Sequence, residues 1–187
     1  MLRGVVYLVS GWVALAFVGG MADVLALTIM LPATSAIVLA HAAFAPISVP
    51  SGLAVAVALG YLEDLHQGAP IGTLCLAHAA AFLGLRWAAQ RFHVGGWMMQ
   101  AFAGLAGVLF VDLATAGVLV VMSDSLGVFR PALQSALPQV RWHALATALA
   151  APVVWLGLDV LMQRLRLEEP PPAPTTTFSQ ALRKRRS

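Results

Sequence analysis

Charge is scarce in this chain. Only 10% of its 187 residues are Asp, Glu, Lys or Arg, while 60% are hydrophobic; ordinary soluble domains carry about 25% charged residues. A soluble fold needs charged side chains spread between its elements to keep its outer faces in water, and here they are bunched. Between Val5 and Pro50 the only ionisable side chains are Tyr7, Asp23 and His41. That run is too long for one buried core helix and suits two membrane crossings. Cysteine is nearly absent as well. Cys75 stands alone, which excludes a disulfide framework and a cysteine-ligated metal site, and its apolar setting makes it a packing residue.

The motifs of catalysis are missing too. There is no H-E-x-x-H, no G-x-S-x-G, no G-x-x-x-x-G-K-[ST], no dinucleotide-type glycine run and no Gly-x-Gly-Asp of the intramembrane aspartyl proteases. Hydrolysis and phosphate chemistry therefore have no visible apparatus, and the chain is expected to be no enzyme. His41, His66, His78, His93 and His143 fall on different segments without ligand spacing, so neither a metal nor another cofactor is expected. The formal net charge of +3 does not indicate nucleic acid, because the basic residues are not interleaved with aromatics on a polar face.

What is present is a series of apolar segments, and these predict an all-α, polytopic membrane helix bundle over residues 1–166 with about six transmembrane helices. They run at about 5–22, 24–44, 51–65, 71–89, 98–122 and 142–162. Gly19, Gly20 and Asp23 mark a turn after the first segment. Gly20-Met21-Ala22 loosely resembles a signal-peptide cleavage site, but equally apolar segments follow it. Pro32 either kinks the second segment or starts it late. The third is short and ends at Glu63, Asp64, His66 and Gln67, and a polar connection with Asp124, Arg130 and two prolines separates the fifth from the sixth. Residues 167–187 form a disordered, Pro/Thr-rich basic tail that can neither continue a helix nor bury a core. Its last basic residues, Arg183, Lys184, Arg185 and Arg186, suit an anionic lipid surface.

Threading six crossings puts nine basic residues on one side, Arg3, Arg86, Arg91, Arg164, Arg166 and Arg183 to Arg186 with Lys184 among them, and only Arg130 and Arg141 on the other. The bias predicts that both termini are cytoplasmic. Tyr7, Trp12, Trp87 and Trp97 then fall near the cytoplasmic interface, and Tyr61 and Trp142 near the far one, as amphipathic rings prefer.

The residues that violate the hydrophobic pattern are the candidate site. Asp112 lies about 14 residues into its segment, or roughly 21 Å along it and past the middle of a core about 30 Å thick. A carboxylate there costs about 2.5–3.5 kcal/mol on insertion scales, so Asp112 is expected to face the bundle or bind a partner. Glu63 and Asp64 are its companions, since a plain re-entry turn built on Gly60, Gly68, Pro70 and Gly72 does not need two adjacent acids. Asp159, about a turn from the end of its segment, can reach the interface or Arg164. Ala36 with Ala40 and Ala144 with Ala148 have spacings that permit close helix packing.

On these residues the sequence resembles the MreD family of rod shape-determining membrane proteins. The resemblance covers about Val5 to Arg166. It is most specific from Gly60 through Asp64-Leu65 and Gly68 to Gly72, and is followed in order by Gln100-Ala101, by Asp112 as a mid-segment acid, and by Pro152 with Trp155 in a proline-containing final segment closed by basic residues. The chain departs from the family at Leu31-Pro32-Ala33, where an Arg-Pro-Asp or Arg-Pro-Asn is common. The resemblance implies a non-enzymatic scaffold of bacterial cell-wall elongation and peptidoglycan synthesis in the inner membrane. Its implied partners are a bitopic MreC-like protein, the RodA glycosyltransferase with its penicillin-binding transpeptidase, and indirectly an MreB-like filament. It also implies a fold similar to the six-helix substrate-binding subunits of energy-coupling-factor vitamin transporters, whose small-molecule binding is the alternative function.

Overall fold

The computed structural model describes residues 2–25, 32–67, 71–92, 96–122 and 126–165. Among them there are six helices, α1 (Leu2–Leu25), α2 (Thr34–Phe44), α3 (Val49–Gln67), α4 (Thr73–Ala89), α5 (Trp97–Met122) and α6 (Leu126–Arg164), and no strand. Three stretches are long and apolar enough to cross a membrane: Leu2–Gly20, Trp97–Val121 and Arg141–Arg164. α2 and α4 are shorter apolar helices.

Several boundaries differ from those expected, each for a local reason. α1 runs through Gly19, Gly20 and Asp23 to Leu25; glycine is tolerated inside a helix whose backbone has no competing partner. The second segment is helical only from Thr34, and residues 26–31 lie outside the described residues. Pro32 thus precedes the helix rather than kinking it. α2 stops at Phe44 because Ala45 is followed by Pro46, whose ring pushes its neighbour into the extended backbone observed, φ −74° and ψ 158°. The third helix is not short: it has 19 residues, a rise of roughly 28 Å, and Pro50 fits its first turn, where no backbone donor is needed. α6 begins at Leu126, in place of the expected connection, and spans 39 residues. The stretch between its first two prolines, Ala132 to Leu137, consists mostly of good helix formers, which carry the helix across them.

α2 is the centre. All residues from Thr34 to Ala43 are buried, and α2 touches each of the other five helices. Its small side chains allow close approach. A Cβ on Gly107 of α5 would lie 3.0 Å from the Ala36 carbonyl oxygen and 3.2 Å from Ala40 Cβ, so the Ala36–Ala40 spacing serves the α2–α5 crossing. Arg3 donates to the Pro46 carbonyl, and Arg86 to those of Ala43, Ala45 and Ile47. These bonds gather the starts of α1 and α3 and the ends of α2 and α4 at one end of the bundle. The end of α6 joins them through Asp159. The opposite end holds the α3–α4 turn.

α3 and α4 make the closest backbone approach, at Gly60. A methyl group there would strike the carbonyl of Leu74 and lie 2.7 Å from the Cα of Cys75. Gly157, by contrast, has nothing within 4 Å of a Cβ position. Gly60→Ala should therefore cost about 1–3 kcal/mol of stability in denaturant titrations of the detergent-solubilised protein, while Gly157→Ala stays within error of the parent. Equal midpoints for all three proteins would contradict the α3–α4 contact.

Candidate functional site

The two acids at the end of α3 turn inward, in different directions. Asp64, 1% exposed, accepts from the backbone N–H of Gly72 at 2.8 Å through Oδ2 and of Leu74 at 3.0 Å through Oδ1. It closes the start of α4 from eight residues upstream, where a carboxylate satisfies orphan donors and complements the helix dipole. Gly72 stands at φ +100°, which favours glycine. The Cys75 thiol lies 3.6 Å from the same Oδ2.

Glu63 faces the bundle interior. Ser35 of α2 donates to its Oε1 at 3.0 Å, and Nε2 of His78 on α4 approaches its Oε2 to 3.0 Å. His78 is fully buried, and its Nδ1 lies 2.9 Å from the Leu74 carbonyl oxygen. The Glu63–His78 contact is short but out of line, so Nε2 makes no aligned hydrogen bond. Asp112 of α5 interacts electrostatically with both His143 of α6 and Glu63, and its buried Oδ2 has no hydrogen-bond partner. Thr34 Oγ1 and Thr73 Oγ1, towards the same end, are buried without partners as well. An unmatched buried polar atom is costly, so their concentration in one half of the bundle is informative.

A second polar centre lies in the other half. The Tyr7 hydroxyl is 2.8 Å from Nδ1 of His41, and Nε2 of His41 is 2.8 Å from Oδ1 of Asp159. Trp155 packs on the imidazole with ring centroids 4.8 Å apart. Asp159 therefore pairs with His41, and Trp155 covers the imidazole while the Asp159 side chain stays 37% exposed. Tyr7, His41 and Asp159 tie α1, α2 and α6 together.

The structure brings Glu63 and Asp112 within electrostatic reach of each other and assigns Asp64 to the α3–α4 closure with Gly60 and Gly72. Pro152 and Trp155 sit on α6, half-buried and buried. Gly68, Pro70 and the basic run Arg183, Lys184, Arg185 and Arg186 lie outside the described residues. Reading along the chain missed Ser35, His41 and His78. A histidine in an apolar run is the only signal at residues 41 and 78, Ser35 offers none, and the side-chain partner of each comes from a different helix. Among the described residues no group of three His, Cys, Asp or Glu side chains is placed to hold a metal ion. Comparisons with protein-family models, with curated proteins and with solved structures find no match to this chain.

Asp64→Ala strips two buried backbone donors of their acceptor and should cost about 1–3 kcal/mol. Asp64→Asn, which keeps one acceptor oxygen, should lose less. Denaturant unfolding of both variants checks the order; a fully stable Asp64→Ala would remove the closure from the account.

Proposed function

We propose that this chain is a non-enzymatic scaffold of the bacterial cell-wall elongation complex, an MreD-like protein crossing the inner membrane six times with both termini cytoplasmic. Its partners are an MreC-like bitopic protein and the RodA and penicillin-binding transpeptidase pair, with an MreB-like filament reached indirectly and the basic tail resting on anionic lipid. The observation that carries the reading is α1. Only 11% of its apolar stretch is buried, and Val5, Val9, Trp12, Val13 and Phe17 stand out from the bundle. Beside it, α1 and α6 leave a groove of about 380 Å³ lined by Ser10, Ala14 and Phe17 of α1, Val38 of α2, and Gly157 and Leu161 of α6. A flank of this kind suits another transmembrane helix, since small residues and apolar packing drive association in lipid. Glu63 and Asp64 are engaged inside the protein, so the partner contact belongs on helix flanks and not on the acidic end of α3.

A second reading is a small-molecule-binding transporter subunit, which would need the bundle to open, since the buried polar atoms without partners, Thr34 Oγ1, Thr73 Oγ1, His78 Nε2 and Asp112 Oδ2, are closed to solvent. Mass spectrometry of the purified protein separates the two readings. A scaffold brings down membrane protein partners; a transporter subunit brings down a vitamin-like ligand. Asp112→Leu should remain inserted yet weaken complex formation, and unchanged copurification and cell shape would sink the role given to Asp112.

The six-crossing path has its own check. In a Cys75→Ala background, a cysteine replacing Phe92 should react with an impermeant thiol reagent only from the cytoplasmic face. One replacing Ile71, exposed at the other end of α4, should react only from the opposite face. Labelling of both from one side would break the path.

A further inference from the structure

The proton count between α3 and α4 follows from three contacts. The Leu74 carbonyl can only accept, so the hydrogen on the neutral His78 ring sits on Nδ1, 2.9 Å away. Ser35 donates to Glu63 Oε1 at 3.0 Å. What remains is His78 Nε2 facing Glu63 Oε2 at 3.0 Å. With Glu63 ionised and His78 neutral, two electron-rich atoms would lie 3.0 Å apart, short of alignment, in a medium that screens them weakly. One proton on either atom turns the contact attractive.

We propose that Glu63 and His78 form a proton-binding site inside the bundle, taking up one proton between them and exchanging it with water at the end where α3 stops. Loaded, the pair is neutral; unloaded, it carries one negative charge, and the proton has passed to a water molecule. The ligand class follows from the space. Nε2 of His78 and Oδ2 of Asp112 are closed to water, so no organic molecule reaches them, and among the described residues no metal-holding group exists. A proton needs no volume, and the Glu63 side chain retains 12% exposure as its route.

Unloading has a structural consequence. Either Glu63 and His78 separate, or the ring hydrogen moves from Nδ1 to Nε2 and the bond to Leu74 is lost. Both outcomes loosen α3 against α4, and through Ser35 the change reaches α2. The titratable groups around the pair are Asp64 on α3, Cys75 on α4, Asp112 on α5 and, beyond Asp112, His143 on α6. α2 contributes only the hydroxyls of Thr34 and Ser35 here, and the Arg3 and Tyr7 side chains of α1 engage residues at the opposite end. The inference is independent of the scaffold reading, since it concerns the pair itself.

The test is a titration of the full chain in lipid nanodiscs from about pH 5 to pH 9, a range that brackets ordinary imidazole. Nitrogen NMR of labelled histidine and infrared spectroscopy of carboxyl groups would be read together, with His78→Gln identifying the His78 signal. The expected result is a single step seen both in the His78 ring nitrogens and in a carboxyl band. Glu63→Gln should displace that step by about one pH unit or more, or abolish it, and Asp112→Asn should displace it less. A wild-type protein whose His78 and carboxyl signals stay constant across the range overturns the proposal, whether or not the variants fold. So does a His78 step unmoved by Glu63→Gln in a protein that still inserts.

Discussion

A helix of 11 residues rises only roughly 16 Å, too little by itself to span a hydrocarbon core about 30 Å thick, so the second of the six proposed crossings needs the chain on either side of it as well. α2 is that short, is buried along its length, and so must have its backbone ends satisfied by protein. Its neighbours do this at both ends. The Thr147 hydroxyl of α6 takes the Ala33 N–H at 2.9 Å. At the other end Arg86 of α4 reaches the carbonyls of Ala43, Ala45 and Ile47, the placement in which a cation best complements a helix C-terminus. The requirement explains features that look unrelated in sequence: a threonine and an arginine far from α2 in the chain, and a proline on each side of it.

The same constraint divides the polar interior. Ser35, near the start of α2, joins Glu63, which faces His78; His41, near its end, joins Tyr7 and Asp159. Between them Ile37, Val38 and Leu39 are buried and apolar, over six residues that rise roughly 9 Å. The bundle is therefore pinned by two polar centres with an apolar plug between, one linking α2, α3 and α4, the other linking α1, α2 and α6. α1 is held in its first half by Arg3 and Tyr7, while the Cβ positions of Gly19 and Gly20 meet nothing within 4 Å. That asymmetry leaves the wedge beside α6 open.

Much of this architecture was legible in the sequence because apolar runs and acids are local signals. α4 and α5 begin and end within two residues of the limits that composition sets, and Glu63, Asp64 and Asp112 stand out as charges where charge is costly. The failures are of two kinds. The prolines at residues 131 and 138 look like punctuation, yet the intervening helix formers carry α6 through both. Spacing along the chain leaves the histidines unrelated, yet His41 meets partners 34 and 118 residues away, and His78 meets Glu63 from the neighbouring helix. No one-dimensional period reports a contact between helices. For the same reason the sequence leaves open whether the acidic pair meets a partner or the bundle, and it does not show that Asp64 reaches forward to close the next helix.

Arg86 also bears on how a membrane orientation should be argued. A basic residue counts towards a cytoplasmic side because it resists translocation, but a guanidinium that closes a helix terminus is demanded there by the fold on either side of a membrane. Arg3, bonded to the Pro46 carbonyl at 2.7 Å, is in the same position. Neither is an independent witness to direction. The proposed orientation then rests on Arg91, Arg164 and the basic residues beyond α6, which still outnumber Arg130 and Arg141. Arg91 stacks on Trp87 at 4.4 Å, just past the end of α4 and beside an aromatic suited to the headgroup region, so along the proposed path its charge would lie at the interface and not at a helix cap. It is the basic residue among the described ones whose position speaks most directly for direction.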